Sequence, residues 1–132
     1  MKYILFLSIT FTMLFSQIKW YENYNVALKK AKEAKKPLFI FMERKSPPCR
    51  WCEKMKKETL NDEKISSIVN KNFIAVKIVR ENKNYPSFLK TKFVPTIFIL
   101  THKEKPVTKI VGYWSVSDLE SDLKYVLRKL RK

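Results

Sequence analysis

The sequence predicts an α/β fold with a mixed central β-sheet, built as βαβ and then ββα, and helices on both faces. Residues 38–42 and 94–100 are almost wholly apolar, as is typical of strands covered on both sides. Stretches with apolar residues at helical spacing lie between and after these runs. With 132 residues and 45% hydrophobic content, the chain is expected to form one packed domain.

The first half of the domain contains two helices and one buried strand. Apolar residues at helical spacing predict a helix over residues 20–36, and Pro37 ends it because proline disfavours helix in the preceding residue. The apolar run 38–42 predicts the strand. Residues 46–48, Ser-Pro-Pro, make a turn, and a second helix is expected to begin at Cys49 and to continue to about residue 59.

The second half alternates strands and helices. Asn61-Asp62-Glu63 is typical of a helix N-terminus, with Ile65, Ile68 and Val69 on the buried face. Further elements are expected as a strand at 73–79, a short helix at 86–92, a strand at 94–100, a turn at 101–105, a strand at 106–111 ended by Gly112, and an amphipathic helix at 117–130.

The first sixteen residues predict an export signal. Lys2 gives a positive start, residues 3–15 form an apolar stretch, and Ser16 offers a small residue for cleavage. Leu14 stands where a signal peptidase prefers a small residue, so an uncleaved membrane anchor is the main alternative and a buried strand a further one. We therefore expect a signal peptide at 1–16 and a domain at 17–132 that is periplasmic or otherwise exported.

The net charge of +16 raises the question of a nucleic-acid partner. The basic residues are spread along nearly every segment, only five are arginines, and the aromatic residues lie within apolar runs. Binders of single-stranded nucleic acid interleave cations with exposed aromatic rings, so no nucleic acid is expected here. We expect a solvated lysine-rich surface, with contact to an anionic membrane surface or to acidic proteins as alternatives. The single glycine, Gly112, excludes a glycine-rich phosphate loop.

The only two cysteines, Cys49 and Cys52, lie where the strand 38–42 gives way to a helix. Two intervening residues let both sulfurs meet within one helical turn and form a disulfide. A cysteine in the first turn faces unpaired N–H groups and the positive end of the helix dipole, which favour the thiolate. We expect Cys49, the more exposed, to be the nucleophile and Cys52 to resolve the mixed disulfide. No cofactor besides this redox-active disulfide is expected.

The residues between and around the cysteines leave several interpretations open. Arg50 adds positive charge and is expected to lower the thiol pKa, and Trp51 either flanks a partner-binding surface or packs against the domain. A purely structural staple is disfavoured, because so short a loop removes little entropy from the unfolded chain. A zinc site that adds His102 to the cysteines lacks a fourth ligand, so no metal is expected and His102 is interpreted as a solvent-exposed turn residue.

Cys49-Arg50-Trp51-Cys52 after one buried strand and Val94-Pro95-Thr96 at a second resemble the thioredoxin fold. The resemblance covers residues 20–130 and is closer to the exported thioredoxin-7 type. Further segments contribute to it: Ala27-Leu28, Ala31-Lys32, Lys36-Pro37, Glu53-Lys54-Met55, Asn61-Asp62-Glu63, Asn72-Phe73-Ile74, Val76-Lys77 and Gly112-Tyr113. Pro47-Pro48 departs from it, because the family often has a tryptophan or a small residue directly before the first cysteine.

The resemblance also implies roles for residues away from the cysteines. Pro95 is expected to be cis and to pack beside the sulfurs, and Val94 to offer backbone hydrogen bonds to an extended substrate. Many thioredoxins place a buried acid beneath the cysteines as a proton relay. Alignment from Lys36-Pro37 puts Phe41 at that point, whereas counting back from Cys49 puts Glu43 there. Glu43 is otherwise expected to be a solvated loop residue.

The function implied by the resemblance is that of an exported, monomeric thiol–disulfide oxidoreductase. It would reduce or exchange disulfides of protein substrates and depend on a redox partner protein. The direction of electron flow cannot be derived from Arg50 and Trp51, although the resemblance favours reduction. The alternative is a non-catalytic protein-binding or chaperone module that uses the groove by Val94 and Pro95.

Overall fold

The computed structural model describes residues 17–132, so the predicted signal segment 1–16 lies outside the described residues. Within the described part the chain forms five strands and four α-helices. Their bounds are β1 Trp20–Tyr21, α1 Tyr24–Ala34, β2 Leu38–Glu43, α2 Arg50–Lys57, α3 Glu63–Asn72, β3 Ile74–Val79, β4 Thr96–Leu100, β5 Pro106–Val111 and α4 Val116–Leu130, with 3-10 turns at Arg80–Asn82 and Ser87–Leu89.

The strands form one mixed sheet in the order β1-β3-β2-β4-β5. β3 pairs in parallel with both β1 and β2, and β4 runs antiparallel to β2 and to β5. The parallel β2–β3 pair is joined through α2 and α3, and β4, β5 and α4 form the ββα unit. The structure therefore confirms the predicted thioredoxin-type α/β fold.

β2 is the central strand, and all six of its residues are buried. Successive side chains of a strand point to opposite faces, so β2 contributes to two cores. Phe39 and Phe41 pack in the cluster that includes Leu119 and Leu123 of α4. The alternate residues of β2 pack with α1, in a second cluster that includes Leu38, Ile40, Met42, Tyr24, Ala27 and Ala31.

The predicted helix over 20–36 is wrong at its start. Trp20 and Tyr21 instead form a short edge strand that pairs with β3, and the helix begins at Tyr24. The reason is Asn23, whose side chain accepts a hydrogen bond from the Val26 N–H and caps the helix. Aromatic residues before that cap are free to extend the sheet.

Other differences are confined to element ends. The strand predicted from residue 94 begins at Thr96, so Val94 and Pro95 lie just outside the sheet. The short helix predicted at 86–92 is a single 3-10 turn. Gly112 ends β5 with φ +88°, a conformation that favours glycine. Among the described residues, no helix is long and apolar enough to cross a membrane.

Candidate functional site

The two cysteines lie at the N-terminus of α2, after the turn that follows β2. Cys49 is the N-cap, and its Sγ accepts a hydrogen bond of 3.2 Å from the Cys52 N–H. Cys49 and Cys52 are joined as a disulfide, with their Cα atoms 5.2 Å apart. Cys49 is 5% exposed and Cys52 is fully buried. Both residues are buried, and Cys49 is the nearer of the two to the surface.

The turn 44–48 before Cys49 is held from two sides. Pro47 and Pro48 have no N–H, and the two N–H groups that precede them, those of Lys45 and Ser46, both donate to Glu81 Oε2 at 3.0 and 2.6 Å. Arg44 donates through Nε to the Pro47 carbonyl at 2.8 Å and through Nη2 to the Pro48 carbonyl at 3.2 Å. These contacts place a guanidinium group against the carbonyl that directly precedes Cys49.

Glu43 is the last residue of β2 and is 1% exposed, so its interpretation as a solvated loop residue is wrong. Its Oε1 lies 2.7 Å from Nζ of Lys56 on α2, and Lys56 also contacts Glu53 at 2.9 Å. A buried carboxylate requires such a partner, which explains how the acid is accommodated. Burial lowers the pKa of Lys56, but its hydrogen bonds to Glu43 and Glu53 outweigh burial, so that the pKa is raised.

Lys56 lies one turn after Cys52 on α2, so the Glu43–Lys56 pair links the cysteine helix to the central strand. The pair borders a polar cavity of about 320 Å³ whose lining also includes Lys77 and Asn82. The competing position for a buried acid, Phe41, is a fully buried member of the apolar core. Of the two, only Glu43 is a titratable group.

Trp51, between the cysteines, belongs to an aromatic surface beside the disulfide. Its side chain is 51% exposed, and its ring centroid lies 5.7 Å from that of Tyr113. Nζ of Lys54 lies 5.1 Å from the Trp51 centroid and 5.0 Å from that of Tyr113, within cation–π range. Tyr113 is further fixed by a 2.7 Å hydrogen bond from its hydroxyl to Glu58 Oε2.

Val94 and Pro95 line an apolar cavity of about 360 Å³ together with Trp51, Gly112 and Tyr113. The Val94–Pro95 peptide bond is cis, as is Ser46–Pro47. The Pro95 carbonyl accepts a hydrogen bond from the Gly112 N–H, which ties the segment to the end of β5. Within residues 17–132, the backbone N–H and C=O of Val94 take part in no hydrogen bond. The structure thus brings together Trp51, Val94 and Pro95.

Two residues that the sequence singled out lie apart from this arrangement. Arg50 is exposed, and its side chain makes no hydrogen bond or ion pair among residues 17–132. His102 follows β4, whose Leu100 pairs with Leu38 at the far end of β2. Four strand rises of about 3.3 Å separate that end from Met42 on the cysteine side. His102 is half-buried and lies far from the sulfurs. Cys49, Cys52 and His102 therefore do not come together as a zinc site.

Sequence patterns did not identify Arg44, Lys56, Glu81 or the contact of Tyr113 with Trp51. Lys56 is 13 residues from its partner Glu43 in the sequence, and Glu81 is 35 residues from Ser46. No local spacing marks such pairs. One sequence feature pointed to the aromatic contact: Tyr113 directly follows the single glycine of the sequence, at the end of a strand. Among the described residues, no group of three or more His, Cys, Asp or Glu residues is placed to hold a metal ion.

A mixed sheet of this order, with a Cys-x-x-Cys disulfide capping the helix after a central strand, defines a thioredoxin-like protein. The family model named Thioredox_DsbH and described as "Protein of unknown function, DUF255" matches residues 11–110. The chain belongs to this family. The finer assignment to the exported thioredoxin-7 type stays a prediction.

Relatives and solved structures agree with this class. An uncharacterized protein of Caenorhabditis elegans, B0495.5, is 38% identical over 66 residues, which are 50% of this chain and 9% of that protein. The chain thus spans less than a tenth of this curated relative. The structure of "DsbH Oxidoreductase" superposes with a TM-score of 0.67 at 20% identity and covers 85% of each chain. A thioredoxin from Thermus thermophilus superposes with a TM-score of 0.72 at 18% identity, over 84% of this chain and 88% of that one.

Proposed function

We propose that this protein is a thiol–disulfide oxidoreductase that acts on protein cysteines through the Cys49–Cys52 pair. The observation that supports this most is the disulfide at the N-terminus of α2, in which Cys49 is 5% exposed and Cys52 is fully buried. So short a loop adds little conformational restraint to the unfolded chain, whereas a pair that opens and closes can transfer two electrons.

In the proposed reaction the Cys49 thiolate attacks one sulfur of a substrate disulfide. A Cys49–substrate S–S bond forms, the substrate S–S bond breaks, and one substrate thiolate leaves. The Cys52 thiolate then attacks Cys49 Sγ, forming the Cys49–Cys52 disulfide and releasing the second substrate thiolate. The substrate gains two electrons and the protein loses two. A redox partner protein must restore the dithiol, and the reverse sequence oxidises a substrate dithiol.

Two features support thiolate formation at Cys49. Its sulfur already accepts the Cys52 N–H, and in the reduced protein the same N–H and the helix N-terminus would stabilise negative charge there. Arg50 and Trp51 remain proposed tuning residues, and Arg44 joins them because its guanidinium is fixed beside the residue before Cys49. Of the two arginines, the fixed one is expected to contribute more.

Glu43 is proposed as the proton relay for Cys52. It is buried at the end of β2, paired with Lys56 one turn beyond Cys52, and borders a polar cavity of about 320 Å³. A polar cavity of this size can hold water, which would connect the carboxylate with solvent. In this role Glu43 would accept the proton as Cys52 becomes a thiolate and attacks the mixed disulfide.

Val94, Pro95 and Trp51 are the proposed substrate-binding residues. An extended substrate segment would pair with the backbone groups of Val94, which make no hydrogen bond within residues 17–132, and place apolar side chains in the 360 Å³ cavity. The proposed partners are protein thiols or disulfides and one redox partner protein, with the enzyme as a monomer. We propose export to the periplasm on the basis of residues 1–16, with membrane tethering or surface contact as a second possibility.

The test is reduction of insulin by dithiothreitol-reduced protein and its variants. Cys49→Ser is expected to abolish turnover, and Cys52→Ser to accumulate a mixed disulfide that a non-reducing gel detects. Equal, cysteine-independent behaviour of all three proteins would contradict the proposal and favour a non-catalytic binding or chaperone module. The reduction potential of the pair then gives the direction, because a strongly negative value favours a reductase.

A further inference from the structure

A basic cavity of about 620 Å³ lies beside the segment that leads to Pro95. It is formed by the 3-10 turn after β3, the second 3-10 turn and the chain that follows them. Four of its lining residues are cations, one is an acid, and three carry hydroxyl groups: Arg80, Lys83, Lys90, Lys92, Glu81, Tyr85, Ser87 and Thr91. Lysines are spread along most of the sequence, whereas this cavity gathers four cationic residues in its lining.

The four cations outnumber the one acid of the cavity. Within the described part of the chain, the ion pairs engage Lys30, Lys56 and Lys124, and none engages a cation of this cavity. The one acid, Glu81, interacts electrostatically with Arg80 and also accepts the backbone N–H groups of Lys45 and Ser46. The lining therefore keeps a net positive charge, and an anion placed among these cations lowers the electrostatic energy.

The cavity is also preorganised around Arg80. Its Nη1 donates to the Lys92 carbonyl at 2.9 Å, and the Tyr85 hydroxyl donates to the Arg80 carbonyl at 2.7 Å. The first bond ties the turn after β3 to the segment before Pro95, and the second holds Tyr85 against the same turn. A site held in this way loses little conformational entropy when a ligand binds.

The cavity adjoins the proposed substrate groove along the chain. Thr91 and Lys92 line the basic cavity, whereas Val94 and Pro95 line the apolar one. Only Phe93 lies between them, and its side chain is 63% exposed. An extended polypeptide spans about 3.3 Å per residue, so one segment that pairs with Val94 can reach the basic cavity within a few residues.

We infer that this cavity binds acidic side chains of the substrate polypeptide, within a few residues of its reacting cysteine. The inference rests on the proposed function, because it names the substrate class of the same groove. Exposed Phe93 would pack against an apolar residue between the acidic side chains and the cysteine. A polypeptide is favoured over a nucleic acid because the cations gather in one cavity, whereas a phosphate backbone requires a track of them.

The experiment uses two synthetic peptides that each form a disulfide-linked dimer, one with three aspartates two residues from its cysteine and one with serines there. The protein is assayed for kcat/KM on both at low and at physiological salt, with dithiothreitol as the reductant that restores its dithiol after each turnover. Wild type is expected to favour the acidic peptide about tenfold at low salt, mainly through KM, and less at higher salt. The double variant Lys90→Glu/Lys92→Glu is expected to bring this ratio to about one or below.

The matched control is Lys103→Glu/Lys105→Glu, which makes the same charge change at the same spacing in an exposed turn at the opposite end of the sheet. It is expected to keep the wild-type ratio. An equal loss of preference in both double variants, or no preference in wild type, would overturn the inference. Tighter binding of a single-stranded oligonucleotide of equal charge, with the same dependence on Lys90 and Lys92, would also overturn it.

Binding is measured separately, so that failure of the proposed function can be recognised. Fluorescence anisotropy with cysteine-to-serine versions of both peptides reports the surface without any thiol chemistry. A preference for the acidic peptide in anisotropy, without Cys49-dependent turnover, would support acidic binding at the cavity and contradict the proposed oxidoreductase function. Cys49-dependent turnover without any acidic preference in either assay would contradict acidic binding at the cavity alone.

Discussion

The two sides of the disulfide differ in how their polar groups are used. On one side, β2 ends in Glu43, whose carboxylate is paired with Lys56, and continues into the turn 44–48, whose backbone is held by the side chains of Arg44 and Glu81. On the other side, Val94 makes no backbone hydrogen bond within residues 17–132, and Trp51 is half exposed beside an apolar cavity. We call these the held side and the open side. The held side fixes the sulfur, and the open side is left for a partner.

This difference has a physical consequence for exchange chemistry. A nucleophile must be positioned before the substrate arrives, because reorganisation during the reaction adds to the barrier. A substrate groove must instead leave hydrogen-bonding groups and apolar surface available. Each contact of the held side is defined by a distance, so substitutions there have definite expected effects on stability, on the thiol pKa of Cys49 and on the turn itself.

The largest expected effect on the held side is that of Lys56→Met. Removal of this lysine leaves the Glu43 carboxylate buried without its partner at 2.7 Å, which is expected to lower the free energy of unfolding by about 3 kcal/mol. Urea denaturation followed by circular dichroism measures it. The control is Lys57→Met, which removes an exposed neighbour with no ion pair within residues 17–132. Similar losses in both variants would contradict a specific role for the pair.

The next effect compares two arginines. Arg44→Met removes a guanidinium fixed at the Pro48 carbonyl, and is expected to raise the thiol pKa of Cys49 by about half a unit to one unit. Arg50→Met is expected to raise it less, because an exposed charge without fixed contacts is screened by salt. The pH dependence of iodoacetamide alkylation, in a Cys52→Ser background, reports the pKa. A larger shift for Arg50→Met would show that the residue between the cysteines dominates.

Much of the fold could be predicted because its signals are local. Continuous apolar runs mark β2 and β4, whose burial on both faces follows from that composition. The sequence likewise shows directly that Cys49 and Cys52 are separated by two residues and that Val94-Pro95 comes after them. The exception is β1, since two residues are too few to show a periodic pattern and Trp20 pairs with a strand 55 positions away.

Most of the held side could not be predicted, because the contacts of Glu43 and Glu81 are not local. The sequence left Glu43 either as a buried proton relay or as a solvated loop residue, and the contact that accommodates its burial comes from Lys56 on another element. Glu81 lies in a polar stretch after β3 and looks like any exposed acid until the fold places it under the turn. Arg50 attracted attention through its position between the cysteines, whereas Arg44 has the fixed geometry.

The smallest expected effect is that of Glu81→Gln. A hydrogen bond from its own N–H lowers the pKa of Glu81 from the ordinary 4.5. Burial opposes this, and the Ser46 and Lys45 N–H groups and Arg80 lower the pKa further. Because the folded pKa is depressed, the stabilisation is complete above the ordinary pKa and is lost as pH falls through the lowered one.

Glu81→Gln removes the charge at neutral pH, and a neutral acceptor forms a weaker hydrogen bond. In the variant, the backbone amides of Lys45 and Ser46 are therefore expected to exchange about threefold faster than in wild type. Hydrogen-exchange protection factors measured by NMR check this, and the two proteins should converge below the lowered pKa. Glu63→Gln is the control, an acid on α3. A midpoint at or above pH 4.5 in the pH dependence of Ser46 protection in wild type would show that Glu81 does not hold the turn. The contrast with the open side would then rest on Arg44 and the Glu43–Lys56 pair.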